Sequence, residues 1–114
     1  MMRVGVLLVM LSVLGGCKSV APATPLSELN TQQMHGHAVF QAKCGMCHYD
    51  RETGSLHGPS LLGMYKKQEL PSGAAATDER VSATILHGRG MMPAMGNGMD
   101  PQDLDDLMAY LHTL

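Results

Sequence analysis

The chain has 114 residues and a formal charge of −2, and 45% of it is hydrophobic, yet it holds one Phe, three Tyr and no Trp. That length suits one small domain, and a mildly acidic balance without a basic patch argues against a nucleic-acid partner. So little aromatic mass also leaves a domain of this size short of apolar surface to bury, so its core is expected to be completed by something other than side chains.

Residues 1–16 carry a lone charge at Arg3, an apolar stretch from Val4 to Leu14, and Gly15 and Gly16 just before Cys17. Eleven apolar positions fall short of the ~20 a spanning helix needs, and the pattern is that of a secretory signal. Leu14-Gly15-Gly16-Cys17 also resembles a bacterial lipobox, which implies that Cys17 is acylated and becomes the first residue of the mature protein. Cleavage elsewhere would leave an unpaired exported thiol. Removing residues 1–16, with Arg3 their only charge, takes the net charge from −2 to −3.

Residues 17–30 turn to Ser, Ala, Thr and Pro, with Pro22 and Pro25 and no helical periodicity. They are expected to form a flexible tether; extended at about 3.1 Å per residue, Lys18 to Asn30 would reach ~40 Å from the anchor. The folded domain is expected over residues 31–114. Thr31 is placed to cap a helix whose apolar positions are Met34, Ala38, Val39 and Ala42, with Phe40 on a neighbouring edge. Gly36 interrupts it at about 1 kcal/mol against Ala, which points to a close contact with another backbone.

That helix runs into Cys44-Gly45-Met46-Cys47-His48. Two thiols three positions apart on one helical turn can reach the two vinyl groups on one edge of a porphyrin, and the histidine that follows can ligate the iron. One acyl anchor and two thioethers would use all three cysteines, and a buried porphyrin would supply the missing core.

Gly54, Gly58, Pro59, Gly63, Pro71 and Gly73 break residues 49–76 too often for a long element, apart from a short turn within Leu61 to Lys67. Thr77 then caps a helix through Val81, Ile85 and Leu86 that Gly88 stops. Asp100-Pro101 opens a last helix, with Asp103, Asp105 and Asp106 near its positive end on a solvated face. Its apolar stripe is Leu104, Leu107, Met108 and Leu111, with Tyr110 beside it. No repeat and no strand is expected.

Taken together, these segments resemble a class I c-type cytochrome over residues 36–112. Gly36, Phe40 and Cys44-x-x-Cys47-His48 are similar to that family's first helix and attachment site, and Gly58-Pro59-x-Leu61-x-Gly63 to its proximal loop. His87 to Met95 is similar to its methionine loop, and Leu107-x-x-Tyr110-Leu111 to its closing helix. The resemblance implies an all-α fold of three to four helices around one covalent haem c. Cys44 and Cys47 would form the thioethers and His48 the proximal iron ligand, with the carbonyl of Pro59 accepting from its other ring nitrogen. Gly58, Pro59 and Leu61 would line the haem pocket, and Gly36 and Phe40 would meet Tyr110 and Leu111 at a helix crossing. The family's ligating methionine precedes a proline, which selects Met92 over Met91 and Met95 as the distal ligand.

Iron with both axial positions filled has no open site for a small-molecule substrate, so the implied function is one-electron transfer between redox-protein donors and acceptors, at a positive potential. The lipobox adds a membrane partner and an envelope address, and Lys18 after Cys17 leans toward the periplasmic face of the outer membrane. Other chemistries compete for the same residues: a ligand sensor or peroxidase-like protein with a labile Met92, or a copper carrier using Met91, Met92, Met95 and Met99. A thiol oxidoreductase would need a βαβ context, and a zinc site a second pair of ligands.

Overall fold

A computed structural model describes Gly16, residues 19–67 and residues 69–114. Apart from Gly16, the expected signal segment lies outside the described residues, as do Cys17 and Lys18. Three helices carry the fold: α1 Thr31–Lys43, α2 Asp78–His87 and α3 Pro101–Leu111. Single 3₁₀ turns at Leu26–Glu28, Met64–Lys66 and Gly96–Gly98 punctuate the connections. The described residues hold no strand, only isolated bridges between Ser55 and Pro59 and between Arg89 and Met92. The all-α expectation therefore holds.

The fold is centred on the crossing of α1 and α3, the main interface between helices. Gly36 makes that crossing close. A Cβ there would overlap the carbonyl oxygen of Asp106 and lie 2.8 Å from Cβ of Tyr110. Phe40 and Tyr110 then meet with ring centroids 6.1 Å apart, and both are buried with Leu107, Leu111 and Leu114. This approach fixes which face of α1 turns inward. Gly36, Val39 and Phe40 are buried, whereas Met34, Ala38 and Ala42, expected on the apolar face, are exposed.

Two local expectations also shift. The cap of α1 is Asn30 rather than Thr31: the Asn30 side chain accepts from the Gln33 N–H at 2.8 Å, and Gln33 Oε1 accepts from the Asn30 N–H at 2.9 Å. This reciprocal pair satisfies two otherwise orphaned donors and leaves Thr31 helical. Asp106, expected on a solvated face, is buried at 5% relative exposure because it lies at the crossing. Its carboxylate is held by the His35 ring Nδ1 and by Gln102 Nε2.

α2 begins and ends as expected. Thr77 Oγ1 accepts from the Arg80 N–H, and Gly88 stops the helix at φ +75°, in the left-handed region. Val81 and Ile85 are its buried residues. The helix touches α3 only lightly and is tied instead to the following loop, where the Met95 N–H donates to the Ile85 carbonyl at 2.9 Å.

Residues 23–29 differ from the expected free tether. Ala23 is buried in the core, Leu29 packs against it, and Leu26–Glu28 forms a 3₁₀ turn. The described fold thus begins before the expected boundary at residue 31. Ala23 between two prolines and Leu29 beyond them carry no periodic signal, so this packing is set by the surface they meet.

Candidate haem site

Cys44 is the C-cap of α1, and the chain tightens there into a turn in which the Cys47 and His48 N–H groups both donate to the Cys44 carbonyl, at 3.1 and 3.0 Å. The proximal loop folds back on this turn. The Gly58 N–H donates to the Cys47 carbonyl at 2.8 Å, and the Leu61 N–H donates to the Tyr49 carbonyl at 2.8 Å.

These bonds press Gly58 against the His48 imidazole so closely that a Cβ on Gly58 would lie 2.8 Å from His48 Nδ1. Pro59 then presents its carbonyl 2.7 Å from the same Nδ1. A carbonyl only accepts, so Nδ1 carries the proton and the lone pair of the neutral ring is left on Nε2. Among the described residues Nε2 makes no hydrogen bond. The proximal loop thus holds the ring in one orientation with the nitrogen suited to a metal unengaged, the arrangement that sets the tautomer and basicity of metal-bound histidines.

Cys44 and Cys47 are both free thiols of intermediate burial. Burial pushes the Cys44 thiol up to about 11, a rise that the neighbouring Lys43 ammonium opposes. Among the described residues no group of three or more His, Cys, Asp or Glu side chains is gathered to hold a metal ion.

On the distal side, Arg89 and Met92 exchange two backbone bonds, at 3.0 and 2.9 Å, around Gly90 at φ +56°. Gly88 lies beneath this turn; a Cβ there would be 2.6 Å from the Met92 carbonyl oxygen. The three methionines of the loop consequently diverge. Met91 is 98% exposed, while Met92 and Met95 are partly buried and pack against the core, as do Cys44 and Leu61. Met91 is thus set apart from Met92 and Met95 by its exposure.

The remaining histidines have other surroundings. His112 stacks on Tyr65 at 3.8 Å and shares Asp78 with it, His35 binds Asp106, His37 packs edge-on against Tyr110 at 5.1 Å, and His57 and His87 are exposed. Burial and the Asp78 carboxylate both raise the Tyr65 phenol above its ordinary range.

Three contributors have no signal in the sequence. Lys43 Nζ donates to the Gly98 carbonyl at 2.7 Å, tying the end of α1 to the turn before α3. Arg51 Nη2 donates to the Thr24 carbonyl at 2.6 Å, and the neighbouring Asp50 accepts from the Tyr110 hydroxyl at 2.6 Å. Burial, followed by the Asp50 carboxylate, raises the Tyr110 phenol.

Two free thiols on one turn, an oriented imidazole beside them and a half-buried thioether on the loop after α2 define a small helical protein of the covalent-haem class. Residues 33–114 match the cytochrome c family, and the chain belongs to it. It is similar to a cytochrome c6 of Synechocystis sp., 27% identical over 107 residues and covering 94% of this chain and 82% of that one. A cytochrome c6 of Aphanizomenon flos-aquae is 28% identical over 76 residues, 67% of this chain and 83% of its own. A cytochrome c2 of Rhodopila globiformis is 29% identical over 97 residues, 71% of this chain and 92% of its own. Covalent haem c is the cofactor of the family, and the donors here fit it: the free Cys44 and Cys47 thiols on one turn and the unengaged Nε2 of His48 suit thioether attachment and axial ligation respectively.

Proposed function

We propose that this cytochrome c electron carrier works tethered to a membrane of the cell envelope, with haem c bonded to Cys44 and Cys47 and its iron held by His48 and Met92. The group supplies an iron that changes charge by one electron; the chain supplies its setting. Pro59 holds the proton on Nδ1 of His48, Gly58 makes room for the ring, and Leu61 packs beside the pocket. The Arg89–Met92 turn presents the Met92 thioether, which favours the ferrous state and a positive potential.

The observation that carries this reading is the 2.7 Å bond from His48 Nδ1 to the Pro59 carbonyl, since it leaves Nε2 and only Nε2 for iron. Redox proteins are the partners that such a carrier meets, and acylation at Cys17 would keep the exchange beside the membrane, on the periplasmic side of the outer membrane. One chain of carbon alone anchors marginally, so a multiply acylated cysteine makes the attachment lasting.

Ligation is tested by the far-red ferric band of a sulfur–iron bond and by carbon monoxide. The band is expected in the parent and in Met91→Ala, and absent in Met92→Ala. Reduced parent protein is expected to bind carbon monoxide slowly or not at all. Rapid binding would favour an exchangeable sixth position and a sensor instead. Potentiometric titration is expected to give a positive midpoint, and a strongly negative one would overturn the thioether assignment.

A further inference from the structure

The segment between the acylation cysteine and α1 is held to the domain at a series of points. Val20 lies over Gly63, where a Cβ would come within 2.9 Å of Val20 Cγ1. Ala23 is buried at 9% relative exposure. Thr24 is gripped from both sides: its N–H donates to the Thr113 carbonyl at 2.8 Å, and its carbonyl accepts from Arg51 Nη2 at 2.6 Å. Leu29 closes the run by packing on the core.

The remaining reach is short. Ala23 is six positions from Cys17, a span of at most about 20 Å, and Val20 is three positions from it, at most about 10 Å. The surface beside Val20 has a charge of its own. Lys66 and Lys67 are exposed, and their N–H groups donate to the Gly63 carbonyl at 2.9 and 3.1 Å, so both leave the turn that Val20 covers. With Lys18, next to Cys17 in the sequence, they make three of the seven basic residues of a mature chain whose net charge is −3. Glu69 follows two positions on, and Asp78 is occupied by Tyr65 and His112. Electrostatic attraction to headgroups fades over a Debye length of about 8–10 Å. A free arm of up to ~40 Å would let these lysines drift out of that range, and a strap pinned at Val20 and Ala23 keeps them near it.

We propose that residues 20–29 are a docked strap that seats the Gly63–Lys67 turn against an anionic lipid surface, so the haem domain is held in one orientation close to its anchor. This rests on the reading of Cys17 as acylated. The carrier would then wait for its redox partners at a fixed height and face, instead of sweeping for them on an arm.

Strap and lipid face are tested separately. In the Cys17→Ser holoprotein, which carries no lipid, hydrogen exchange at the Thr24 amide is expected to be at least ten-fold slower than in unstructured chain. It is expected to speed up several-fold in Arg51→Gln and in Ala23→Glu, with the haem spectrum unchanged. Thr24 exchanging at the unstructured rate in the parent would overturn the strap. For the lipid face, the acylated holoprotein is acetylated on vesicles of equal phosphatidylglycerol and phosphatidylcholine and, for comparison, in detergent. Labelling of Lys66 and Lys67 is expected to fall at least three-fold on the vesicles while that of Lys43 does not, and Ala23→Glu is expected to restore it. Equal labelling in both settings would overturn the lipid face, and equal protection on phosphatidylcholine alone would overturn the role of charge. A mature protein whose mass shows no lipid at Cys17 would remove the anchor and the lipid face together, and slow exchange at Thr24 would still establish the strap.

Discussion

The two loops that carry the proposed iron ligands are built differently. On the proximal side the His48 ring is enclosed by steric exclusion: Gly58 cannot carry a side chain against it, and the Pro59 carbonyl takes its proton at 2.7 Å. On the distal side Met92 rests on a turn closed by two backbone bonds, and one ammonium, that of Lys43, ties the end of its loop to α1. In the proposed ligation the proximal ligand is held by close packing as well as by hydrogen bonds, and the distal ligand by the bonds of its turn. A carrier built this way should give up its methionine long before its histidine.

Substitutions rank along the same line. The largest effect is expected where packing leaves no slack. Gly36→Val drives side-chain atoms into the Asp106 backbone and Tyr110, and should cost at least about 3 kcal/mol in denaturant unfolding of the holoprotein, at the upper end of overpacking penalties. Gly58→Ala comes next. It should cost roughly 2 kcal/mol and displace His48, seen as a shift in the midpoint potential; an unchanged potential would break the contrast between the loops.

Lys43→Met should remove about 1 kcal/mol, and with it one restraint on the distal loop. Its sharper readout is spectroscopic: the far-red band should disappear at a lower pH than in the parent, and Lys43→Arg should restore most of the difference. Loss of His48 ligation before Met92 in that titration would reverse the comparison.

The smallest effect is a pH dependence at the helix crossing. The hydrogen bond to Asp106, with the charge of that carboxylate and of Asp103, raises the His35 imidazole above its ordinary value. The stability it contributes is complete below the unfolded value of about 6.5 and fades as the pH rises through the higher folded value. Bonds from His35 and then Gln102 lower the Asp106 carboxylate, so its contribution is present above the ordinary carboxylate range and fades as the pH falls below it. The pair should therefore support the fold most between about pH 4 and 6.5. Asp106→Asn should remove the pair's share of the fall in thermal stability above about pH 6.5 and below about pH 4, and an unchanged profile on both sides would show the pair to be inert.

Most of the helical frame was legible in the sequence because it is written in local chemistry. Thr77 and Gly88 bracket α2, Asp100-Pro101 opens α3, and Gly36 announces a close backbone. The attachment turn and proximal loop were legible for the same reason, since spacing alone sets Cys44, Cys47 and His48 on one turn. What escaped depends on partners far along the chain. Asp106 reads as one more acidic residue near a helix start, and only the approach of α1 buries it. Lys43 meets Gly98 across 55 positions, and Thr24 meets Arg51 and Thr113 from opposite ends of the domain. Such pairings leave no periodic trace, and the strap was read as a tether because Ala23 and Leu29 acquire meaning only from the surface that receives them.

The central claim, that a porphyrin is bonded to Cys44 and Cys47, is tested most directly by the mass of the peptide containing residues 44–48 from the purified mature protein, after extraction with acidified acetone. The account predicts a coloured peptide heavier by one haem, with neither cysteine open to alkylation. A colourless peptide of unmodified mass with two reactive thiols would contradict it.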